Sequence, residues 1–153
     1  MNSEFNIAVH CLTLLSLKKD HMANSDEIAK SVCTHPARIR KVLGLLRKQG
    51  YVTTKEGVGG GYLLNINSDE LTLGDLYRLL ARGSLQPNWF SGGGEAACVV
   101  SEHIQEVMEQ IYGSGELVLE RHYDNITLAD VTRDIQSGKS KQLFPLEDDQ
   151  SSE

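Results

Sequence analysis

The sequence predicts a mainly α-helical fold with one small β-hairpin: a winged helix-turn-helix followed by a long C-terminal dimerisation helix. Three observations predict it. Two amphipathic segments, NSDEIAKSV and HPARIRKVLGLLRKQG, are joined by a link as short as Cys33-Thr34, which is the spacing of a helix-turn-helix. Two β-rich runs, YVTT and YLLN, flank a glycine-rich stretch directly after the second of those segments, as in a hairpin. A third segment, residues 101–123, carries more apolar residues than one small winged unit can cover.

Each element has its own signal. Asn6 to Leu17 is apolar on more than one helical face, so that helix belongs in the interior. The next helix has Asn24 or Ser25 as its cap, with Asp26 and Glu27 in the first turn, where the helix dipole favours anions. Thr34 is the expected cap of the third, and Pro36 sits in its first turn, which needs no donor there. Ile39, Val42, Leu43 and Leu46 share one face at helical spacing, and Gly50 is the expected stop. Thr72 caps TLGDLYRLLAR, and Thr127 caps a short helix in NITLADVTRDI. Between them, residues 83–97 form a loop with three consecutive glycines, after which Ser101 is the expected cap of the long helix. Gly113 and Gly115 are weak points within it.

The organisation that follows has a winged helix-turn-helix at 1–82, an effector or sensor loop at 83–100, dimerisation helices at 101–137 and a disordered acidic tail at 138–153. No apolar run approaches the length of a membrane span. The polar start, MNSEFN, does not read as a signal peptide, so no membrane partner and a cytoplasmic location are expected. Cys11, Cys33 and Cys98 lie far apart, without a CxxC pair, which fits neither a zinc site nor a disulfide framework. The net charge of −6 hides an asymmetry: residues 1–65 hold nine Lys/Arg against five Asp/Glu, and the remainder holds six against sixteen. A basic first half in an acidic chain is compatible with nucleic-acid binding confined to that half.

The glycines of KEGVGGGYLL narrow the reading. A phosphate loop needs its glycines between a strand and a helix N-terminus, with a Lys-Ser/Thr at the end. Here strand-like residues follow the glycines and no GK[ST] occurs. A flexible linker would be longer and more polar. A tight hairpin tip remains, because glycine takes positive φ cheaply, and bare backbone N–H groups at such a tip can approach a DNA phosphate.

The stretch LGLLRKQGYVTTKEGVGGGYLL, with LTLGDLYRLL after it, resembles the Rrf2 family of bacterial winged-helix transcription regulators over about residues 5–135. The likeness rests on the leucine-rich third helix, its Gly50-Tyr51-Val52 exit, the wing ending in Gly60-Gly61-Tyr62, and the helix start Leu71-Thr72-Leu73-Gly74-Asp75. It implies a dimeric DNA-binding protein whose long helix crosses to the partner subunit. Two departures stand out. Members of the family carry Arg-Gly at the base of the wing, where this chain has Lys55-Glu56-Gly57. The family's iron–sulfur members carry three closely spaced cysteines before the long helix, where this chain has Cys98 alone. Such clusters are held by several thiolates, so neither a cluster nor any other cofactor or metal is expected.

The candidate DNA-binding residues are Thr34, His35, Pro36, Ala37, Arg38, Arg40 and Lys41 on the third helix, and Lys55, Gly59, Gly60, Gly61 and Tyr62 on the wing. With Ile39 at the centre of the buried face, Thr34, Ala37, Arg38 and Lys41 fall opposite it, at about 100° per residue. The first turn of a recognition helix meets base edges, where Arg38 can bond guanine bidentately and Lys41 can do so or hold a phosphate. Arg40, Arg47 and Lys48 fit phosphate steering or plain solubility. The expected partner is an inverted-repeat operator in double-stranded DNA, bound by a homodimeric repressor.

Cys98, near a helix N-terminus that can lower a thiol's pKa, is the candidate sensor of an oxidant or small-molecule effector. An inert Cys98 is its rival, and Trp89-Phe90 either lines an effector pocket or anchors the loop. Two alternatives to a regulator stay open at the level of sequence. One is an enzyme with Cys98 as nucleophile and His103 or His122 as base. The other is a winged-helix protein–protein adaptor without DNA binding.

Overall fold

The computed structural model describes residues 3–94 and 98–138. Apart from Gly138, the expected acidic tail lies outside the described residues. The order of elements is α1 (Ser3–Leu17), β1 (Met22–Ala23), α2 (Ser25–Val32), α3 (Pro36–Lys48), β2 (Val52–Lys55), β3 (Gly61–Leu64), α4 (Leu73–Leu80), α5 (Val99–Asp124) and α6 (Leu128–Ser137). This is a winged helix-turn-helix followed by a long C-terminal helix, mainly α with a small antiparallel sheet.

The core is built around α1. Phe5, Ile7, Ala8, Cys11, Leu12 and Leu15 are buried on it, and it packs against α2, α3, α4 and α6. This is the apolar-all-round helix that the sequence implies. From α3 come Ile39, Val42, Leu43 and Leu46, each fully shut from solvent, and from α4 come Leu76 and Tyr77. Phe5, Tyr77 and Tyr123 form an aromatic cluster that ties α1, α4 and α5 together, with ring centroids 5.4–5.9 Å apart.

The hairpin belongs to a three-stranded sheet in the order β1-β3-β2, all antiparallel, with Thr54 opposite Tyr62 and Ala23 opposite Tyr62 on the other side. β1 has only two residues, too few for any periodic signal in the sequence. His21, in the turn after α1 and at φ 54°, leads the chain into it.

Gly50, at φ +79°, takes the left-handed position just past Gln49, the C-terminal cap of α3. Its N–H donates to Arg47 O at 3.0 Å, and that of Tyr51 donates to Leu46 O at 3.0 Å.

Three helices begin with a capping box. Asn24 pairs with Glu27, Thr72 with Asp75 and Thr127 with Asp130, each side chain accepting from the other's backbone N–H. The starts of α4 and α6 are also tied to one another: Thr72 and Thr127 face each other in an antiparallel bridge, with Leu73 N–H to Ile126 O and Leu128 N–H to Leu71 O, both 2.8 Å. Gly74 makes room for this arrangement, since a Cβ there would come within 1.9 Å of Asp124 Oδ1 at the end of α5.

One expectation about the long helix is corrected. Its N-cap is Cys98, not Ser101, which lies inside the first turn. The helix runs unbroken for 26 residues through Gly113 and Gly115. Leu85 packs alongside Gly115, where a Cβ would make ordinary van der Waals contact with Leu85 Cδ1 at 3.5 Å.

Candidate nucleic-acid interface

The α2–α3 turn is set by three local features. Cys33 leaves α2 in left-handed conformation (φ 58°), Thr34 N–H donates to Ala29 O at 3.0 Å, and His35 becomes the N-cap of α3. The expected cap, Thr34, is displaced by one residue. His35 Nδ1 accepts from Ala37 N–H at 3.1 Å, and Pro36 follows at the first helical position, where no donor is needed.

Turned away from Ile39, the outer face of α3 carries Ala37, Arg38, Arg40, Lys41, Arg47 and Lys48, all exposed, and no acid on the helix opposes them. Thr34 and Pro36 are half-buried beside the turn. Arg40 reaches Ser25 Oγ at 3.4 Å on α2. Arg38 and Lys41 are engaged by the first turn of α1: the Arg38 guanidinium donates to Ser3 Oγ, and Lys41 Nζ lies 2.5 Å from Glu4 Oε1. Sequence reasoning missed Ser3 and Glu4. Nothing local marks them, because each partner is more than thirty positions away and only the packing of α1 on α3 joins them.

The wing glycines do two different jobs. Gly57 and Gly59 take positive φ (93° and 75°) at the tip. Gly60 and Gly61 do not; they are glycines because backbone crowds them. A Cβ on Gly60 would meet Lys55 O at 2.1 Å, and one on Gly61 would meet Ala23 O at 2.6 Å. Gly60 N–H donates to Gly57 O at 3.1 Å, and Gly61 and Tyr62 lie in the central strand, so these three build the wing from within. The outermost residues are Glu56, Gly57, Val58 and Gly59, with Val58 wholly in solvent and Lys55 exposed at the base.

The loop after α4 folds back along α5. Phe90 packs edge-on against Tyr112, with centroids 6.5 Å apart, and Gly93 N–H donates to Ser101 O at 3.1 Å. Phe90 therefore anchors the loop, while Trp89 points outward at 76% exposure. Residues 95–97 of this loop lie outside the described residues. Cys98 is exposed and caps α5 without a side-chain hydrogen bond. His103 pairs at 3.9 Å with Glu102, and His122 lies against the ring of Tyr123.

The loop is held at its root by a buried carboxylate that the sequence did not single out. Glu116 Oε1 accepts from Tyr77 Oη and from Gly83 N–H, both at 2.6 Å, while its Oε2 is buried without a partner. One turn on, Glu120 lies 3.0 Å from Arg82 Nε, in an ion pair without hydrogen-bond alignment. Arg78 bonds Asp124 at 2.8 Å and Asp75 at 3.0 Å, and these partners hold its pKa above even the usual guanidinium range.

The three cysteines lie in three separate parts of the fold. Cys11 lies in the core, where burial raises its thiol pKa to about 12 and keeps it protonated. Cys33 sits at the α2–α3 turn, which leaves the loop with one thiol. Among the described residues, no three His, Cys, Asp or Glu side chains gather as metal ligands would.

The family model described as Rrf2, iron-dependent transcriptional regulator, matches residues 1–143. A Bacillus subtilis protein provisionally named as the HTH-type transcriptional regulator YwnA is 29% identical over 133 residues, covering 86% of this chain and 96% of its own. A crystal structure of a provisionally assigned transcriptional regulator from Lactobacillus plantarum superposes with a TM-score of 0.75 at 29% identity, over 89% of this chain and 91% of that one. The fold of T. potens IscR matches with a TM-score of 0.67 at 21% identity, over 93% and 92% of the two chains.

Proposed function

The chain belongs to the Rrf2 family of transcription regulators, which bind DNA, and from that premise we propose that it is a homodimeric, sequence-specific repressor acting on an inverted-repeat operator. Its work in the cytoplasm is binding rather than catalysis. One observation carries the reading: α3 turns an acid-free face with Arg38, Arg40 and Lys41 outward beside an exposed wing. Base edges are met by the first turns of that face, and phosphates by the outlying lysines and arginines.

A dimer is supported by α5. Val100, Val107, Ile111 and Val118 recur at heptad spacing along it and are all exposed. A second apolar surface, a groove of about 690 Å³ between α1 and α6, is lined by Val9, Leu14, Leu17, Val131 and Ile135. Two copies related by a two-fold axis can cover both.

The direct test is a shift and footprint assay on the DNA upstream of the protein's own coding sequence, run as a salt series. Protection of two half-sites with an affinity that falls steeply with salt is the expected result. Equal affinity for unrelated duplexes would remove the claim of sequence specificity.

The reading extends to Cys98 as a thiol switch, in a protein that carries no iron–sulfur cluster. Its thiol is exposed, bears no cap bond, and stands where the loop enters the long helix. Added volume or charge there would displace the start of α5 and change the spacing of two recognition helices. Half-sites tolerate little error in that spacing. Purified protein should be colourless. Peroxide or diamide should lower operator affinity, a thiol reductant should restore it, and Cys98→Ser should be insensitive. If both forms lose binding equally, or neither does, Cys98 is not the switch.

A further inference from the structure

We infer that Glu4 is a positioning residue that restrains DNA binding, by holding Lys41 in an ion pair that a DNA phosphate must displace. The inference rests on the DNA-binding role of α3 proposed above. The geometry is specific. Glu4 Oε1 lies 2.5 Å from Lys41 Nζ, and the neighbouring Ser3 Oγ accepts from Arg38. Two of the three outward cations on the first turns of α3, Arg38 and Lys41, are therefore directed by two consecutive residues of α1. The partners differ in exposure. The Glu4 side chain is 23% exposed and held close to α3, whereas that of Lys41 is 68% exposed and can swing away.

This arrangement has an electrostatic consequence. A Lys41 paired with Glu4 brings no net charge to a duplex, so it releases no counterion on binding. Glu4 also offers its carboxylate to any phosphate that approaches. Ser3, which is neutral, directs Arg38 without cancelling its charge. Arg38 is thus left to read base edges, while the contribution of Lys41 to general attraction for DNA is withheld. Weaker binding to unrelated sequence follows. That matters for a regulator, because the non-specific term is almost wholly electrostatic.

The test compares the full-length wild type, Glu4→Gln, Lys41→Ala, the double variant and Glu109→Gln, binding both the upstream DNA and a short duplex of unrelated sequence. Glu109 is exposed on α5, so its variant makes the same change of net charge away from α3. Glu4→Gln should tighten binding to both duplexes and steepen the plot of log affinity against log salt by about 0.9, the increment for one more phosphate neutralised. Its advantage over wild type should therefore shrink by about 3.5-fold between roughly 50 and 200 mM salt. Adding Lys41→Ala should return the slope to the wild-type value, and Glu109→Gln should leave it there.

Wild-type slope in Glu4→Gln overturns the inference, as does an equal change in Glu109→Gln or a gain that survives Lys41→Ala. These outcomes leave the proposed function standing. A wild type that binds neither duplex at any salt overturns the proposed function, and this inference with it.

Discussion

In α3 the apolar residues at helical spacing, Ile39, Val42, Leu43 and Leu46, are fully buried, whereas in α5 Val107, Ile111, Leu117 and Val118 stand about half exposed or more. Charge divides the helices as sharply. α3 carries Arg38, Arg40, Lys41, Arg47 and Lys48 and no acid, while α5 carries Glu102, Glu106, Glu109, Glu116, Glu120 and Asp124 against Arg121. The 13-residue α3 is covered by α1, α2 and β2 of its own chain. The 26-residue α5 is about 39 Å long at 1.5 Å per residue, and it packs chiefly against α4. One helix thus buries its whole apolar face within the chain and shows a polyanion its positive side. The other leaves an apolar face uncovered on an acidic helix that duplex DNA would repel. On the proposed reading the difference places DNA contact and dimer contact on different helices, so the DNA-reading face can be broken without breaking the dimer.

The largest effect should come from the open face. Ile111→Glu would bury one uncompensated carboxylate from each subunit in a symmetric interface, at about 3–5 kcal/mol apiece. Sedimentation should find a monomer where the wild type is a dimer, with the helical circular dichroism retained, because the α1–α4 core is untouched. Operator affinity should fall with dimerisation, since one half-site remains. A variant that still sediments as wild type would place the dimer contact elsewhere.

A middle-sized effect sharpens the other side of the comparison. Arg38→Ala should cost about 1–3 kcal/mol of specific binding and relax the preferred sequence, with sedimentation and thermal stability unchanged. Arg121→Ala removes the same charge from α5 and should leave the footprint as it is. Equal losses in both variants would reduce the contribution of Arg38 to net charge.

How far these regions could be read from sequence follows from how local their causes are. The Asn24, Thr72 and Thr127 caps each depend on a residue three positions on; Thr72 and Thr127 were legible, and Asn24 was one of two candidates with Ser25. So was the buried face of α3, whose period is its own. His35 took the cap of α3 because an imidazole nitrogen can accept from Ala37 N–H, a role that Thr34 usually fills better. β1 was invisible because two residues carry no period. Gly60 and Gly61 read as part of a tight hairpin tip and Gly74 as part of a helix start; Gly60 is crowded by the wing's own backbone, but Gly61 by Ala23 and Gly74 by Asp124, each arriving from a distant element. Ser3, Glu4 and Glu116 were missed for the same reason, and they are the residues that link one element's function to another's position.

The smallest effect tests the closed half where α4 begins. At Asp75, burial works against the charge. The backbone N–H and hydroxyl of Thr72, together with Arg78, outweigh it and hold the carboxyl below its usual pKa. Asp130 is held down likewise, first by the backbone N–H of Thr127, with burial opposing and the Thr127 hydroxyl and Arg133 adding to the effect. A carboxyl depressed on folding contributes stability that is fully present above its unfolded pKa of about 3.9, and the contribution is lost as pH falls through the lower folded value. The window is therefore acidic, below about pH 4. Asp75→Asn keeps an acceptor for the Thr72 N–H but loses the charge at the helix N-terminus and the pair with Arg78. The side chain is about a third exposed, so water screens much of this, and a loss of about 0.5 kcal/mol near neutral pH is expected. Urea midpoints taken from pH 6 down to 3 should converge for wild type and variant at the acid end. A constant gap across that range would mean that the cap acts through its hydrogen-bond geometry alone, and that the charge on Asp75 contributes nothing to the fold.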